Sequence, residues 1–311
     1  MSFFRNQVYY AIKPLLPWKL RTALRGWHAR RISKMAGPVW PIKEMAGRPP
    51  DGWNGWPDGK KFALVLTHDV EGPRGLERVP FLAELEMQLG FRSCFNFIPE
   101  GDYAVPDDLR EWLAQNQFEV GVHDLHHDGR LYSSKSAFRN NARRINRYLK
   151  QWNAVGFRSG FMLHNLDWLH HLEIAYDSST FDTDPFEPQP DDVNTAFPFW
   201  VGRSEGGYVE LPYTLPQDFT LFVLLRERDI AVWLRKLDWI VRHGAMALLN
   251  THPDYMTFDR GAPGETGYPA SFYGRFLEYL RERHSHEFWH ALPREIAVHA
   301  RPGLLSQPCS K

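Results

Sequence analysis

The sequence has few features of a disulfide-bonded, membrane-spanning or nucleic-acid-binding protein. It contains two cysteines, Cys94 and Cys309, too few for a disulfide framework or a thiolate metal site. No stretch approaches the roughly 18 consecutive apolar residues of a membrane-spanning helix. Lysine plus arginine and aspartate plus glutamate both number 37, so the net charge of zero gives no general electrostatic basis for binding nucleic acid.

The amino-terminal segment lacks an uninterrupted apolar core and a small-residue cleavage site. We therefore expect no ordinary signal peptide and a cytoplasmic protein, with a peripheral position on the inner face of the membrane as the alternative location. Residues 1–43 contain lysines and arginines but no acid, and Leu20, Leu24 and Trp27 share one face of a predicted helix. This pattern is typical of a helix on an anionic membrane, which predicts salt-sensitive binding to anionic vesicles. It equally fits a helix that packs on its own domain, and the sequence leaves both open.

The 311 residues, 43% of them hydrophobic, are enough to bury a large core. We expect a basic amphipathic helical extension over residues 1–47, a connector rich in proline, glycine and tryptophan over 48–61, a barrel over 62–300 and a tail over 301–311. Short apolar runs that alternate with helical patterns predict strands at 62–67, 93–98, 118–123, 155–159, 174–179, 208–212 and 246–251. This α/β alternation indicates a mostly parallel sheet, and seven strands indicate a closed or nearly closed barrel of the β/α kind.

Polar side chains follow several of the predicted strands. They are His68, Asp69 and Glu71 after the first strand, His123, Asp124 and His127 after the third, Arg158 at the end of the fourth, and His252 and Asp254 after the seventh. In β/α barrels functional side chains collect where strands end, so we expect these groups to meet.

The spacing of these residues favours a metal site. His123 and His127 are four residues apart, so on a helical turn their imidazoles would share a face and could bind one cation. Two imidazoles and a carboxylate leave a coordination position open, as in catalytic zinc sites. Asp69 and Glu71 are two residues apart, so in extended backbone they point the same way and can divide the roles of ligand and base.

Each pattern alone has a simpler interpretation. The histidine pair could be accidental in a polar loop, and the two acids could cap a turn. A second metal motif, "HEFWH" at residues 286–290, matches the HExxH pattern of zinc proteases. Pro293 and Ile296 stand where the metzincin continuation needs glycine and histidine. We therefore interpret His286 and His290 as a solvated helix face.

Taken in order, the motifs resemble those of the polysaccharide deacetylase family, the NodB-homology domain or carbohydrate esterase family four. "THDVEG" resembles its Thr-Phe-Asp-Asp motif, "HDLHH" its His-Ser/Thr-x-x-His motif, "FRSG" its arginine motif, "YDSST" an aspartate motif and "LNTH" its Leu-x-His motif. The resemblance covers residues 62–300. It implies a distorted seven-stranded (β/α) barrel that hydrolyses an N-acetyl group of an amino sugar.

The resemblance also implies roles for individual residues. Asp69 would be the general base, His252 the general acid, Arg158 the partner that holds Asp69, and His123 and His127 two metal ligands. Val70 stands where the family has its second aspartate, so Glu71 is assigned as the third ligand in an Asp-x-Glu variant of the first motif. Asp177, Asp124 and Asp254 are assigned to substrate binding or to support of the ligands, and the acid that orients His252 is left open among Asp177, Asp182 and Asp184.

The resulting prediction is a metal-dependent hydrolase that removes an N-acetyl group from an amino sugar in a polysaccharide or in a lipid-linked glycan precursor. Its cofactor would be a divalent metal, with zinc expected first and cobalt, nickel or iron as alternatives. Two other functions stay open: an allantoinase-like amidohydrolase acting on a cyclic or open amide, and a metal-free barrel that binds a glycan or a partner protein. The expected partners are a glycan and an anionic membrane surface, not nucleic acid, and the oligomeric state is left open.

Overall fold

The computed structural model describes residues 26–27, 29–32, 35, 40–187, 189, 191, 193–204, 206–258 and 267–301. Much of the predicted amino-terminal extension and nearly all of the predicted tail lie outside the described residues. The membrane-binding interpretation of residues 1–43 and the division of the chain at residues 47, 61 and 300 therefore stay predictions. Within the described part, no helix combines the length and the apolar character needed to cross a bilayer.

Strands and helices alternate along the chain. The strands are β1 (Phe62–Val70), β2 (Cys94–Phe97), β3 (Glu119–His123), β4 (Gly156–Arg158), β5 (Tyr176–Asp177), β6 (Phe199–Arg203), β7 (Gly206–Glu210), β8 (Met246–Thr251), β9 (Met256–Thr257), β10 (Tyr268–Pro269) and β11 (Phe288–His290). The α-helices are α1 (Pro73–Leu89), α2 (Asp107–Gln115), α3 (Lys135–Gln151), α4 (Leu166–Leu169), α5 (Ala231–His243), α6 (Ser271–His284) and α7 (Pro293–Ala300). Three short 3-10 turns (Glu44–Gly47, Pro57–Gly59 and Gly160–Met162) and a π-helix (Phe219–Leu225) complete the described elements.

Nine of these strands form one curled sheet. Its order is β11-β1-β2-β3-β4-β5-β7-β6, and β8 also pairs with β1. All of its pairings are parallel except that of β6 with β7. Beyond β7, Leu215 forms a parallel bridge with Leu249 of β8. Because β8 also pairs with β1, this bridge connects the β7 side of the sheet to the β1 side and nearly closes the barrel. The predicted distorted β/α barrel is confirmed.

The barrel forms because most of its parallel strands are buried and its helices are amphipathic. All nine residues of β1 are buried, as expected for a parallel strand covered on both faces. Helix α3 buries Phe138, Ala142, Ile145 and Leu149 at helical spacing, and its N-cap Ser134 accepts a hydrogen bond from the backbone N–H of Ala137. Helix α1 ends at Gly90, which adopts the left-handed conformation common after helices.

The seven predicted strands are all present, and the first extends further than expected. Strand β1 continues to Val70, three residues beyond the predicted end, so His68 and Asp69 belong to the strand itself. The prediction for the "HEFWH" segment was wrong: residues 288–290 form strand β11 against β1, not a helix face. The apolar side chains of Phe288 and Trp289 in this segment pack on the core, which favours a strand.

Candidate active site

Three of the predicted ligands lie together at the carboxyl end of the barrel. Glu71 follows β1, His123 ends β3 and His127 lies in the loop after β3. Each residue offers one donor atom, and these atoms lie within 4.8 Å of one another. Their two imidazole ring centroids are 4.9 Å apart. One carboxylate and two imidazoles at this spacing can hold a single metal ion.

The contacts of His123 leave the lone pair of its Nε2 available to a metal ion. Its Nδ1 lies 3.1 Å from the carbonyl oxygen of Arg158 and donates to it, because a carbonyl can only accept. This bond places the proton on Nδ1 and leaves the Nε2 lone pair available. Nε2 is buried and has no hydrogen-bond partner among the described residues. Burial, the main cause, lowers the pKa of His123 and keeps the ring neutral, the state in which imidazole binds metal.

The loop that carries His127 is not the predicted helical turn. Asp124 (φ 57°) and His127 (φ 52°) are both left-handed, so residues 124–127 fold back sharply at the end of β3. The prediction that the two imidazoles share a helix face was therefore wrong in its geometry, although the two rings do converge. His127 stacks on Phe161, with ring centroids 4.2 Å apart. A Cβ placed on Gly160 would lie 2.5 Å from Asp124 Oδ2 and 2.8 Å from His127 Cδ2, so only glycine fits there.

Glu71 occupies the centre of a group of polar contacts. Its Oε1 lies 3.2 Å from His127 Nε2 and 3.8 Å from His252 Nε2, and its Oε2 accepts a hydrogen bond from the hydroxyl of Tyr255. Burial alone would raise the pKa of Glu71, but His127 and then His252 outweigh burial and lower it. Glu71 is therefore an anion under ordinary conditions and can neutralise part of a metal's charge.

Asp254 holds the backbone of the Glu71 turn. Its carboxylate accepts hydrogen bonds from the N–H groups of Glu71 (2.9 Å) and Gly75 (3.2 Å), the latter in the first turn of α1. A side chain at position 75 would collide with this carboxylate. Burial, followed by the charge of Glu71, raises the pKa of Asp254 to about 6. The predicted supporting position of Asp254 thus corresponds to direct contacts with the Glu71 segment.

Asp69 lies in a buried network made of one ion pair and several hydrogen bonds. Its Oδ1 lies 3.3 Å from Arg158 Nε, and its Oδ2 accepts from the amide of Asn250 at 2.8 Å. Asn250 Oδ1 accepts from the hydroxyl of Thr67, which in turn accepts from Arg158 Nη2. The predicted Asp69–Arg158 pair is present. Burial opposes ionisation of Asp69, but Arg158 and then His123 outweigh burial, so its pKa is lowered.

A further residue, Asn96 on β2, binds Asp69 from the neighbouring strand. Its amide donates to Asp69 Oδ1 at 2.9 Å, and its own oxygen accepts from the thiol of Cys94 at 3.3 Å. A side chain at Gly121, the partner of Asn96 on β3, would collide with that oxygen. Asn96 was not predicted from the sequence, because an amide inside an apolar strand carries no motif.

His252 follows β8 and is held by Asp218, a residue that was not predicted from the sequence. Asp218 Oδ1 lies 2.7 Å from His252 Nδ1, and Oδ2 accepts from the backbone N–H of His252 at 2.9 Å. The hydroxyl of Tyr268 also donates to Asp218. Burial acts to lower the pKa of His252, but Asp218 and then Glu71 outweigh burial and raise the pKa to about 10. The ring is therefore an imidazolium at neutral pH.

The expectation that Asp177, Asp182 or Asp184 orients His252 was wrong. Asp177 accepts hydrogen bonds from the hydroxyl and the N–H of Ser179, and Asp182 forms an ion pair with buried Lys236. Asp184 accepts from the hydroxyl of Tyr213. Asp218 comes shortly after Leu215, which forms a bridge to Leu249 of β8, so the fold places this segment beside the strand that His252 follows.

Two other predicted residues have mainly structural contacts. Asp124 accepts from the backbone N–H of Leu125 at 2.6 Å and shapes the loop that carries His127. His68 points away from the cluster, and its two ring nitrogens contact Thr251 and the buried Glu86 of α1. The alternation of side chains along β1 therefore separates His68 from Asp69, its neighbour in sequence.

Comparison with known proteins supports the fold. No protein-family model and no curated protein matches the chain. Among solved structures, a provisionally named polysaccharide deacetylase from Mycobacterium smegmatis aligns with a TM-score of 0.62 and 20% identity, over 82% of this chain and 95% of that chain. A family 4 carbohydrate esterase from Streptomyces lividans aligns with a TM-score of 0.44 and 11% identity, over 75% and 93% of the two chains. A family 4 pseudoenzyme from Bacillus anthracis gives 0.42 and 16%, over 78% and 67%.

The first of these similarities shows that the chain has the fold of the polysaccharide deacetylases, as the motifs predicted. The other two scores are too low to add an argument. At these identities the similarity concerns the fold, and the chemistry of this chain must be argued from its own residues.

Proposed function

We propose that this protein is a metal-dependent hydrolase that removes an N-acetyl group from an amino sugar of a glycan, either a polysaccharide or a lipid-linked precursor. The observation that carries the proposal is the meeting of Glu71, His123 and His127 at one end of the barrel. The Nε2 of His123 is buried and has no hydrogen-bond partner in the part of the chain that the structure describes. A lone pair left in this way inside a protein is costly unless it binds something.

The three donors fit a divalent metal such as zinc, with cobalt, nickel and iron as alternatives. The carboxylate is anionic, the first imidazole is neutral, and the second stacks on Phe161 within reach of both. When bound, a metal of this kind supplies Lewis-acid polarisation of the amide carbonyl and acidifies water. The remaining chemistry must come from side chains of the chain itself.

The acid and the base of the reaction are separate groups with opposite charge states. Asp69 is buried and ionised beside Arg158, so it can accept the proton of the attacking water. His252 is protonated because Asp218 holds its Nδ1–H, so its Nε2–H can be given to the departing amine. An amide nitrogen leaves poorly until it is protonated, and His252 meets that need.

Arg158 acts through Asp69. Its guanidinium is fully buried, pairs with the carboxylate and binds Thr67, so it fixes the orientation of the base. Asn96 and Asn250 add one amide donor to each carboxylate oxygen. We therefore assign Arg158, Asn96 and Asn250 as positioning residues, and Asp69 and His252 as catalytic residues.

The proposal is tested by metal content and acetate release from full-length protein. We expect a divalent metal in the purified chain and release of acetate from N-acetylglucosamine oligomers. His127→Ala should lower metal affinity by more than about 100-fold and abolish turnover, because it removes a ligand. His126→Ala is the matched control, since this exposed neighbour contacts Glu100 and lies outside the cluster.

Other results would support a different function. Ring opening of a cyclic ureide without acetate release would favour the allantoinase-like alternative. Purified protein that contains no metal and has neither activity would favour a barrel that binds a glycan or a partner. Equal metal loss in the His126 and His127 variants would contradict the assignment of the ligands.

A further inference from the structure

Helix α3 carries a line of exposed cations that the proposed chemistry does not use. Its 17 residues include no acid. The exposed cations lie mostly four residues apart and form what we call the α3 basic stripe: Lys135, Arg139, Arg143, Arg147 and Lys150. From the rise and twist of an α-helix, the stripe is about 22 Å long and covers a sector of about 120°. Because the net charge of the whole chain is zero, this concentration of cations is a local feature of the surface and not a general property of the chain.

Helix stability does not explain the stripe. Like charges four residues apart on a helix repel each other. Lys135 and Arg139 also lie near the positive end of the helix dipole, where a cation is disfavoured. The stripe therefore opposes the folding of the helix that carries it, whose stability comes from the apolar residues on its opposite face.

Side chains of neighbouring segments contact only the first part of the stripe. Lys135 lies 3.9 Å from Asp167, and Arg139 donates to the ring of His171. Glu100 on the same side of the barrel is occupied by Arg144, which is outside the stripe. The neighbouring Glu173 touches α3 through its backbone N–H, which binds Asn146.

The second part of the stripe has no such partner. Arg143, Arg147 and Lys150 are exposed and form no ion pair among the residues that the structure describes. Three neighbouring cations are therefore available to an outside anion.

The position of the stripe connects it to the candidate active site. Helix α3 follows β3, which ends at the ligand His123, and the helix returns along the outside of the barrel to β4. The Lys135 end of the stripe therefore lies at the catalytic end, and the line continues from there along the barrel wall. No large apolar side chain is exposed on α3, whereas Trp27, Met35, Met45, Phe81 and Val298 are exposed elsewhere in the described part of the chain. A membrane-binding helix needs such apolar side chains beside its cations.

We propose that the α3 basic stripe binds the anionic groups of an acidic glycan, one that carries carboxylates or phosphates along the chain, while an N-acetyl amino sugar of the same glycan occupies the active site. This inference rests on the function proposed above and narrows its substrate class. A linear array of cations that starts at the catalytic end matches a linear polyanion that leaves the active site over the rim of the barrel.

The test measures binding separately from turnover. Full-length protein with the additional change His127→Ala is titrated with two labelled oligosaccharides of equal length. One is a hyaluronan oligomer, which carries a carboxylate on every second sugar, and the other is an uncharged N-acetylglucosamine oligomer. We expect tighter binding of hyaluronan, with a preference that decreases as salt is added.

Charge removal at the stripe should abolish this preference. The triple variant Arg143→Gln, Arg147→Gln, Lys150→Gln should raise the Kd for hyaluronan about tenfold, since three exposed ion pairs contribute modestly each. Its Kd for the neutral oligomer should not change. The matched control is Arg275→Gln, Arg281→Gln, Arg283→Gln on α6, which removes the same charge from another exposed surface and should retain the preference.

Several outcomes would overturn the inference. They are equal weakening by the two triple variants, equal affinity of the starting protein for both oligomers, or preferred binding to anionic vesicles or duplex DNA. If hyaluronan binds through the stripe but no glycan releases acetate from the metal-loaded wild type, the stripe stands and the proposed function fails. If acetate is released but acidic glycans are not preferred, the proposed function stands and the assignment of the stripe fails.

Discussion

The contact between His252 and Asp218 allows a quantitative test of the active-site electrostatics. In the metal-free protein the pKa of His252 is raised from its usual 6.5 to about 10. A difference of this size corresponds to about 5 kcal/mol in favour of the imidazolium. Burial acts in the opposite direction, and Asp218 is the largest of the groups that raise the pKa. Asp218→Asn should therefore remove most of the increase.

We expect the pKa of His252 in the Asp218→Asn variant to return to about 7 or below, since an amide offers no charge and burial still opposes protonation. The sign for stability follows from the raised pKa. The pair stabilises the fold fully below pH 6.5, and the contribution is lost as the pH rises through about 10. At pH 7 the variant should lose about 3 kcal/mol of unfolding free energy, the lower range for breaking a buried charged pair.

The assay is a pH titration of the His252 ring by NMR in chelator-treated protein, with the signal assigned from a His252→Gln variant. Asp177→Asn serves as the control, because Asp177 binds Ser179 and should leave the titration of His252 unchanged. A wild-type His252 that titrates near 6.5, or a titration that Asp218→Asn does not move, would refute the reasoning. Urea unfolding at pH 7 checks the stability loss independently.

Two further predictions concern packing and buried charge. Gly160→Ala should weaken metal binding by about tenfold or more, measured by competition with a chelator, because the added Cβ would meet both Asp124 and His127. Burial and then the charge of Asp177, its register partner, raise the pKa of Glu210. Its unfolded form ionises near pH 4.3, so stability should fall as the pH rises above that value. Glu210→Gln should reduce the loss of unfolding free energy between pH 5 and pH 8 by at least about 1 kcal/mol, measured by urea unfolding. The same dependence of unfolding free energy on pH in the variant and the wild type would contradict the prediction.

Much of the barrel could be predicted from the sequence because parallel strands are buried on both faces. Runs such as "FALVLT" and "MALLNT" are almost entirely apolar, and the segments between such runs have helical periodicity. This alternation leaves few alternatives to a β/α fold. The short strand β6 was missed because its residues are half-buried or exposed and carry no such run. Strand β11 was missed because it is only three residues long and half-buried, and because its segment "HEFWH" also matches a helical metal motif.

The convergence of the three candidate ligand residues could be predicted for a similar reason, since strand ends mark one edge of the barrel. The local shape of the His127 loop could not be found. Two left-handed residues and the missing side chain at Gly160, 33 positions further along the chain, bring His127 back towards His123. The four-residue spacing of His123 and His127 does not reveal this arrangement, because the same spacing also fits a helical turn.

Asp218 illustrates a different limit. The residue that orients a histidine has to reach one nitrogen of one ring, and any buried acid on a neighbouring segment has the right chemistry. Four of the described aspartates between residues 177 and 218 are buried, and only the folded chain shows that Asp218 makes the contact. The chemistry of the site was therefore accessible from residue types, whereas the pairing of buried partners depended on distances.

The alternation of β1 accounts for the unusual spacing of the two acids. Thr67, Asp69 and Glu71 follow the inner face, where they meet Arg158 and the histidines. His68 and Val70 follow the outer face, where they are fully buried under the helices. An acid at position 70 would lie on the face of β1 that carries His68, away from His123 and His127. An acid two positions after Asp69 is thus the spacing at which an extended strand keeps both carboxylates on one face, and Asp254 and Tyr255 hold Glu71 after the strand has ended.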